Sequence, residues 1–449
     1  MKIIKNIFLL IPLFLWAGIL SAQESWTLDR CIGYALENNL NHRLYELNEQ
    51  AARVDAKQTK MNLLPSLSAS SSAGLSFGRS VDPNTNDVVN NEFFNNNNSL
   101  NSSIGLFHGF IRMNQIAYAK FRLQAAEWQK VNNQDDLAFS VLMAYYDVIY
   151  YQGLVEITKE QLGLSGFNLK KTEAQIETGL KARTDLAEMQ AIYEKEKLSL
   201  IQSENKFEEA RLKLGQQMNL PAGSLVSVLN DAGEPVAVPN LPWAADSLFA
   251  SFAQISPYVK MAEANLEAAS KNVAMVRGQY FPSLYLNASV NTGYYETYRD
   301  QEGNTIAFAD QLDNNMSQFV GASVSIPIFG RNEVRSELRK AKLKQEQART
   351  EVDNYKQTVY YELVNNTREL QALFREYIQT GKQVDADQLA YQVAQRKYDE
   401  GLIDVIELLA VKSRLSEAQG YLLRSKLQWE IKNKVLEFYQ GVRFWEASP

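Results

Sequence analysis

Hydrophobic and polar positions recur with two different periods along this chain, and the period switches at a few sharp places. Period two appears in four segments. In the first, Leu67, Ala69, Ala73, Leu75 and Phe77 alternate with Ser68, Ser70, Ser72, Gly74 and Ser76. In the second, Leu100, Ile104 and Leu106 alternate with Asn101, Ser103 and Gly105. In the third, Leu284, Leu286, Ala288 and Val290 alternate with Tyr285, Asn287, Ser289 and Asn291. In the fourth, Val320, Ala322, Val324, Ile326 and Ile328 alternate with Gly321, Ser323 and Ser325. Successive side chains of a strand point to opposite faces, so these patterns predict strands over about residues 66–77, 99–107, 283–294 and 318–329.

Elsewhere the period is helical. Leu186, Tyr193, Leu200, Phe207 and Leu214 recur every seven residues, and so do Leu408, Leu415, Leu422, Trp429 and Leu436. A seven-residue repeat draws helices toward a left-handed supercoil. Only one position per heptad is consistently large and apolar, which suits a thin wall better than a thick core. Proline is absent between Pro83 and Pro221 and again between Pro327 and Pro449, which predicts very long helices. The expected helices cover about residues 27–62, 111–178 and 185–215, then 246–278, 331–399 and 404–439. Thr27 is the expected cap of the first, with Asp29 in its first turn, and Pro257 breaks the fourth with Ser256 as the new cap. The helix over 111–178 is roughly 100 Å long. One long helix out and two shorter ones stacked on the return form a layer of even height.

The chain is written twice. Tyr280-Phe281-Pro282-Ser283-Leu284 echoes Leu63-Leu64-Pro65-Ser66-Leu67. Residues 325–331 echo 103–112 with a short insertion that aligns Phe107 with Phe329, and Gly179-Leu180 is matched by Gly401-Leu402. The second heptad set, Phe329 and Gly401 all lie 222 residues beyond their counterparts. Each half reads helix, strand, strand, helix, helix. The implied organisation is a signal peptide at 1–22, a first structural repeat at 23–220, a proline-rich connector at 221–243, a second repeat at 244–441 and a tail at 442–449. The signal peptide rests on Lys2 and Lys5, an apolar run over 7–20, and the small residues Ser21 and Ala22.

Composition narrows the classes. A single cysteine, Cys31, rules out an internal disulfide framework and reads as a small half-buried helix residue. A net charge of −6 gives no reason to expect nucleic acid. No segment after the leader approaches the roughly 18 apolar residues of a spanning helix. The strands point to the membrane instead. Each is long enough to cross a bilayer at a tilt, and its second face is almost wholly Ser, Asn and Gly, as a water-filled lumen requires. Aromatic residues gather at the strand ends (Phe77, Phe107, Phe110, Tyr280, Phe281, Tyr294, Tyr295, Phe319, Phe329), and the loops over 78–98 and 293–317 are long, polar and Asn-rich. Four strands cannot close a wet barrel, and open edges cannot face lipid. Other copies of the chain must complete the sheet.

These residues resemble the TolC family of outer-membrane efflux proteins across essentially the whole mature chain. The likeness rests on Trp26-Thr27-Leu28, Ala35-Leu36-Glu37-Asn38-Asn39, the two Pro-Ser-Leu strand starts, Val324-Ser325-Ile326-Pro327-Ile328-Phe329, and the Gly-Leu turns followed by acidic helix starts. It implies a mostly α protein with membrane β: a homotrimeric twelve-stranded barrel, four strands per chain, in outer-membrane lipid, continuous with a long periplasmic α-helical barrel. It further implies docking to a periplasmic adaptor (membrane fusion) protein and an inner-membrane pump of RND, ABC or MFS type, passing drugs, other small molecules or proteins outward without cofactor or chemistry. By the same likeness Gly179, Leu180, Gly401 and Leu402 meet the adaptor, and Asp185, Glu188, Asp404 and Glu407 are candidates for narrowing the periplasmic entrance. The family has a second acidic position where this chain has Ala410, a departure from a doubled acidic ring. The bland reading of the same acids is helix capping, since Asp185 with Glu188 and Asp404 with Glu407 are spaced as capping pairs.

Site chemistry is sparse. The two histidines, His42 and His108, are not clustered with other metal ligands, and no phosphate loop or nucleophile elbow appears. Glu194 and Glu196, interleaved with Lys195 and Lys197, read as a solvated helix face. Two other functions compete. One is an exported coiled-coil scaffold with a soluble β cap. The other is a surface enzyme using loop acids such as Asp82, Asp87, Asp300 and Asp310.

Overall fold

The computed structural model describes residues 25–445 apart from 82–85, 87, 222, 225, 231 and 236–244. The expected signal peptide, Asp82, Asp87, and Pro239 and Pro242 of the connector lie outside the described residues. The elements run α1 (Leu28–Asn38), α2 (Leu40–Met61), β1 (Ser66–Val81), β2 (Val88–His108), α3 (Ile111–Glu177) and α4 (Arg183–Met218). They continue with α5 (Ala245–Ile255), α6 (Pro257–Gly278), β3 (Ser283–Tyr295), α7 (Phe308–Asn314), β4 (Ser317–Ser325), α8 (Glu333–Asp399) and α9 (Val405–Tyr439). No helix among the described residues is long and apolar enough to cross a membrane.

The two long helices, α3 and α8, have 67 residues each, which is about 100 Å at the α-helical rise. Shorter helices stack beside them. The first helix, expected as one piece over 27–62, is divided at Asn39. That residue is extended, and its side-chain oxygen accepts the His42 N–H at 3.1 Å to cap α2. A reciprocal pair of bonds ties this break to the end of α4. Asn39 Nδ2 donates to the Gln217 carbonyl at 2.8 Å, and Asn219 Nδ2 donates to the Asn38 carbonyl at 3.0 Å. Asn219 takes the left-handed conformation (φ 56°) that carboxamide residues tolerate. In the second half the break falls where proline dictates, with Ser256 accepting the Val259 N–H and Pro257 at the first helical position.

The four strands form one antiparallel sheet in the order β1-β2-β3-β4. Register places Leu67, Leu100 and Val290 on one face with Leu284, Leu286, Val320 and Val324. The other face carries rows such as Ser66–Ser103–Asn287–Gly321 and Ser70–Ser99–Asn291–Ser317. Aromatic clusters stand at both ends of the sheet. Phe110 packs on Phe107 and Phe281 at 5.2 and 6.4 Å between centroids, and Tyr294 packs on Phe94 and Phe308 at 6.0 and 5.0 Å.

Three strand expectations need correction. The region 78–98 is mostly strand, because the asparagine run pairs with serines of β1: Asn95 Nδ2 donates to Ser76 Oγ at 2.9 Å and Ser71 Oγ donates to Asn98 Oδ1 at 2.6 Å. The loop over 293–317 contains α7, whose Gln311 replaces a missing strand. Its Oε1 accepts the Tyr295 N–H at 2.9 Å while its Nε2 donates to the Tyr295 carbonyl at 3.1 Å. The fourth strand stops at Ser325 rather than Phe329, since β3 begins at Ser283 and offers no partner further on. Ile328 and Phe329 are left almost bare, at 95% and 86% exposure.

Each strand-to-helix junction is a pair of left-handed residues. Gly109 and Phe110 precede α3 (φ 57° and 63°), and Arg331 and Asn332 precede α8 (φ 48° and 67°). This tight reversal starts α8 at Glu333, two residues later than the helical period implied.

Candidate functional site

Two regions carry the candidate residues: the far ends of the helical hairpins and the polar face of the sheet. At the hairpin ends both long helices stop in the same way. Leu180 N–H bonds the Gln175 carbonyl at 2.8 Å and Gly179 N–H bonds Ile176 at 2.9 Å; Leu402 N–H bonds Lys397 at 2.8 Å and Gly401 N–H bonds Tyr398 at 3.1 Å. Both glycines are left-handed, at φ 74° and 73°. This is the Schellman ending, in which the residue after glycine usually packs on an apolar residue one turn back. Here that position is Gln175 or Lys397, so neither leucine has a cover. Leu180 is 76% exposed and Leu402 67%.

The acidic residues beyond the turns divide unequally. Asp404 caps α9, its Oδ1 accepting the Glu407 N–H at 2.8 Å. The expected capping pair of Asp185 with Glu188 does not form. The N-cap of α4 is Ala182, with no side-chain bond, and Asp185 lies inside the first turn. Glu188 and Glu407 are exposed.

A polar ladder joins the first hairpin to the second just behind the tips. Lys171 Nζ pairs with Asp399 at 2.7 Å, Thr172 Oγ1 meets Tyr398 OH at 3.1 Å, and Asn168 and Gln395 exchange bonds at 3.3 and 3.2 Å. The Lys181 ammonium sits 3.4 Å from the centre of the Tyr398 ring. Further along, Lys412 of α9 is buried. Its Nζ donates to the Gln161 carbonyl at 2.7 Å, to Ser165 Oγ at 2.6 Å and to both Glu196 oxygens at 2.9 and 3.0 Å. Burial pulls this ammonium below its ordinary value, and Glu196 partly restores it. Glu196 is therefore not part of a solvated face, as its sequence neighbours implied. Sequence reasoning passed over Lys412 altogether. A lone lysine in a helix carries no signal when its carboxylate partner lies in the other half of the chain.

The remaining singled-out residues are structural in setting. His42 is buried, with Nδ1 3.0 Å from Asn133 Oδ1, and His108 Nδ1 meets Tyr285 OH at 2.9 Å at the strand end. Cys31 is fully buried rather than half-buried, and burial pushes its thiol up to about 12. Asp300 closes a turn by accepting the Asn304 N–H at 2.7 Å, and Asp310 lies in the first turn of α7. Among the described residues no group of three or more His, Cys, Asp or Glu side chains is placed to hold a metal ion.

Long paired helices under a four-stranded sheet, apolar on one face and polar on the other, define a channel-type membrane protein. The family described as outer membrane efflux protein matches residues 31–219 and 250–442, and the chain belongs to it. It is accordingly an outer-membrane protein with a large periplasmic part, built on the fold of the outer-membrane efflux channels. Outer membrane efflux protein BepC of Brucella suis is 25% identical over 70% of this chain and 66% of its own length, just under two thirds. Toluene efflux pump outer membrane protein TtgF of Pseudomonas putida is 24% identical over 88% of this chain and 79% of its own. Among solved structures, CusC, studied for its transmembrane channel formation, superposes with a TM-score of 0.78 at 19% identity, covering 92% of this chain and 91% of its own. VceC, an outer membrane protein of Vibrio cholerae, does so with 0.78 at 16% identity, covering 93% and 96%.

Proposed function

We propose that three copies of this chain close a twelve-stranded barrel and serve as the passive outer-membrane conduit of a tripartite efflux or secretion pump. In this reading residues 23–220 and 244–441 are two copies of one structural unit joined by the connector. The observation that carries the assembly is the pair of open edges on β1 and β4. Lipid cannot satisfy a row of unpaired backbone groups, each worth several kcal/mol, so neighbouring copies must pair with them. The helices support the same ring. Helix α3 packs against α2 on one flank and α6 on the other, whereas packing on α8 among the described residues comes from α5, α6 and α9. The uncovered flank of α8 fits the α2 and α4 of a second copy.

The bare leucines at the tips, Leu180 and Leu402, fit a periplasmic adaptor protein as partner, with an inner-membrane pump beyond it. Gly179 and Gly401 shape the two turns that present them. In this reading Asp185, Glu188 and Glu407, which follow the two turns, narrow the entrance, and Asp404, which caps α9, does so only beside its capping role. Relatives named for efflux pumps support this assignment, and the cargo class is drugs, other small molecules or proteins. The test is a double variant, Leu180→Glu with Leu402→Glu, in a strain deleted for the native gene. Oligomer recovery in the outer membrane should be unchanged while resistance to pump substrates is lost. Retained resistance would remove the docking assignment, and a detergent-free monomer in place of the oligomer would remove the channel reading itself.

A further inference from the structure

The polar face of the sheet has one feature that a water-filled lumen does not need. From the row Ser66–Ser103–Asn287–Gly321 up to Gly74–Asn95–Tyr295, its described residues are serine, asparagine and glycine, with Tyr295 at the outer end and one phenylalanine, Phe319. Phe319 is fixed there by register, opposite Ser289, which is opposite Asn101, which is opposite Ser68. Its neighbours are bonded among themselves. Ser103 Oγ donates to Asn287 Oδ1 at 2.8 Å, Asn287 Nδ2 to Ser323 Oγ at 3.4 Å, and Ser70 Oγ meets Ser99 Oγ at 2.7 Å. Those groups satisfy one another, and these rows hold no charged side chain to form a selectivity ring.

The phenylalanine is accommodated by Gly321. A Cβ at that glycine would lie 2.5 Å from Phe319 Cζ, so the ring lies flat along the strand in space that any other residue would fill. Covering a strand glycine with an aromatic ring is a known stabilising device. It leaves the outer surface of the ring free, and Phe319 remains 59% exposed. We propose that Phe319 is a specificity-determining residue of the lumen, an apolar contact repeated in each copy that favours uncharged aromatic or aliphatic cargo in an otherwise neutral, hydroxyl- and amide-lined passage. This inference rests on the reading that the polar face lines the lumen of an oligomeric barrel.

The test uses the full-length oligomer in planar bilayers, with benzyl alcohol as an uncharged aromatic probe of current block. Phe319→Ala should widen the passage, raise potassium conductance by about 1.5-fold and abolish the block. Gly321→Ala, which forces the ring off the strand into the passage, should lower conductance. Phe319→Cys in a Cys31→Ser background should lose current when a charged, membrane-impermeant methanethiosulfonate is added, and this variant decides the matter if the alanine variants fail to assemble. Wild-type conductance that is present but equal in Phe319→Ala, with equal block, would overturn the assignment. An inert Phe319→Cys channel would do the same by putting the side chain outside the lumen. A heat-stable wild-type oligomer with no conductance would instead overturn the channel reading on which the inference stands.

Discussion

The hairpin α3–α4 and the hairpin α8–α9 come from matching stretches of sequence and end in the same glycine turn, yet they are held very differently. In α9 four of the five heptad residues, Leu408, Leu415, Trp429 and Leu436, are buried and Leu422 is half-buried, whereas in α4 only Leu214 of the five is buried. Asp404 caps α9, and α4 begins uncapped at Ala182. Lys412 of α9 is buried against α3 and α4, while the residue 222 positions earlier, Gln190, is exposed. The second hairpin lies against the first, and among the described residues the first leaves its equivalent position, Gln190, exposed. Two similar backbones thus make different contacts within one chain.

The strand-to-helix junctions sharpen the contrast most. Gly109 and Arg331 hold equivalent positions and both are left-handed, but a Cβ at Gly109 would lie 2.1 Å from the Gly278 carbonyl oxygen. Gly109→Ala therefore meets both backbone strain and a clash with main chain that has no rotamer to yield. A loss of about 4 kcal/mol is expected, from left-handed strain plus overpacking. Urea unfolding of the detergent-solubilised protein measures it, and a loss within experimental error would mean that the junction and α6 are not in the contact described.

The next effect concerns Lys412. Lys412→Met should destabilise by about 3 kcal/mol, because it strands the Glu196 carboxylate beside α3. Gln190→Met should change stability by less than about 0.5 kcal/mol. The pH dependence has a definite sign. The unfolded chain keeps the lysine proton up to about 10.4, whereas burial makes the folded chain release it sooner. Between those two values the unfolded state holds more protons, so wild-type stability gains with rising pH relative to Lys412→Met. Parallel pH profiles for the two proteins would contradict the burial of a charged lysine.

A third pair, Asp404→Ala and Asp185→Ala, separates capping from other uses of the acids. Loss of the Asp404 cap should cost about 1 kcal/mol, and Asp185→Ala should cost less than about 0.5 kcal/mol since it bonds no helix end. Equal losses at both sites would show that α4 is capped by Asp185 after all.

Much of this architecture was legible because strand and helix periods are local properties. The sheet faces, the long helices, Ser256 at the α5–α6 break and the Gly-Leu turns all follow from residues close in sequence. What escaped the sequence reading was set by distant partners. The Asn95–Asn98 run reads as a loop until serines of β1 are placed opposite it, and Gln311 shows no sign of its role until β4 begins only at Ser317, opposite Asn291, and leaves the β4 side of Tyr295 without a strand partner. Lys412 and Glu196, which are 216 residues apart, look like separate surface charges. Of the candidate site, the two turns were readable in full. The division of labour between Asp404 and Asp185 was not, because a cap depends on where the first helical residue falls.

The smallest expected effect tests the same comparison from the other side. Arg331 bears a Cβ in a left-handed conformation that costs an ordinary residue roughly 1–2 kcal/mol. Arg331→Gly removes that strain but gives the unfolded chain more freedom, which offsets roughly 0.5–1 kcal/mol. A net gain of about 0.5 kcal/mol is expected for the solubilised single chain. In the assembled oligomer the sign should reverse if the guanidinium reaches a neighbouring copy, since the junction corresponds to the one where Gly109 meets Gly278 within the chain. Stability measured on both sides of the monomer–oligomer equilibrium reads this directly. A gain of the same size in both states would place Arg331 outside any contact between copies, leaving its left-handed backbone as strain that no contact offsets.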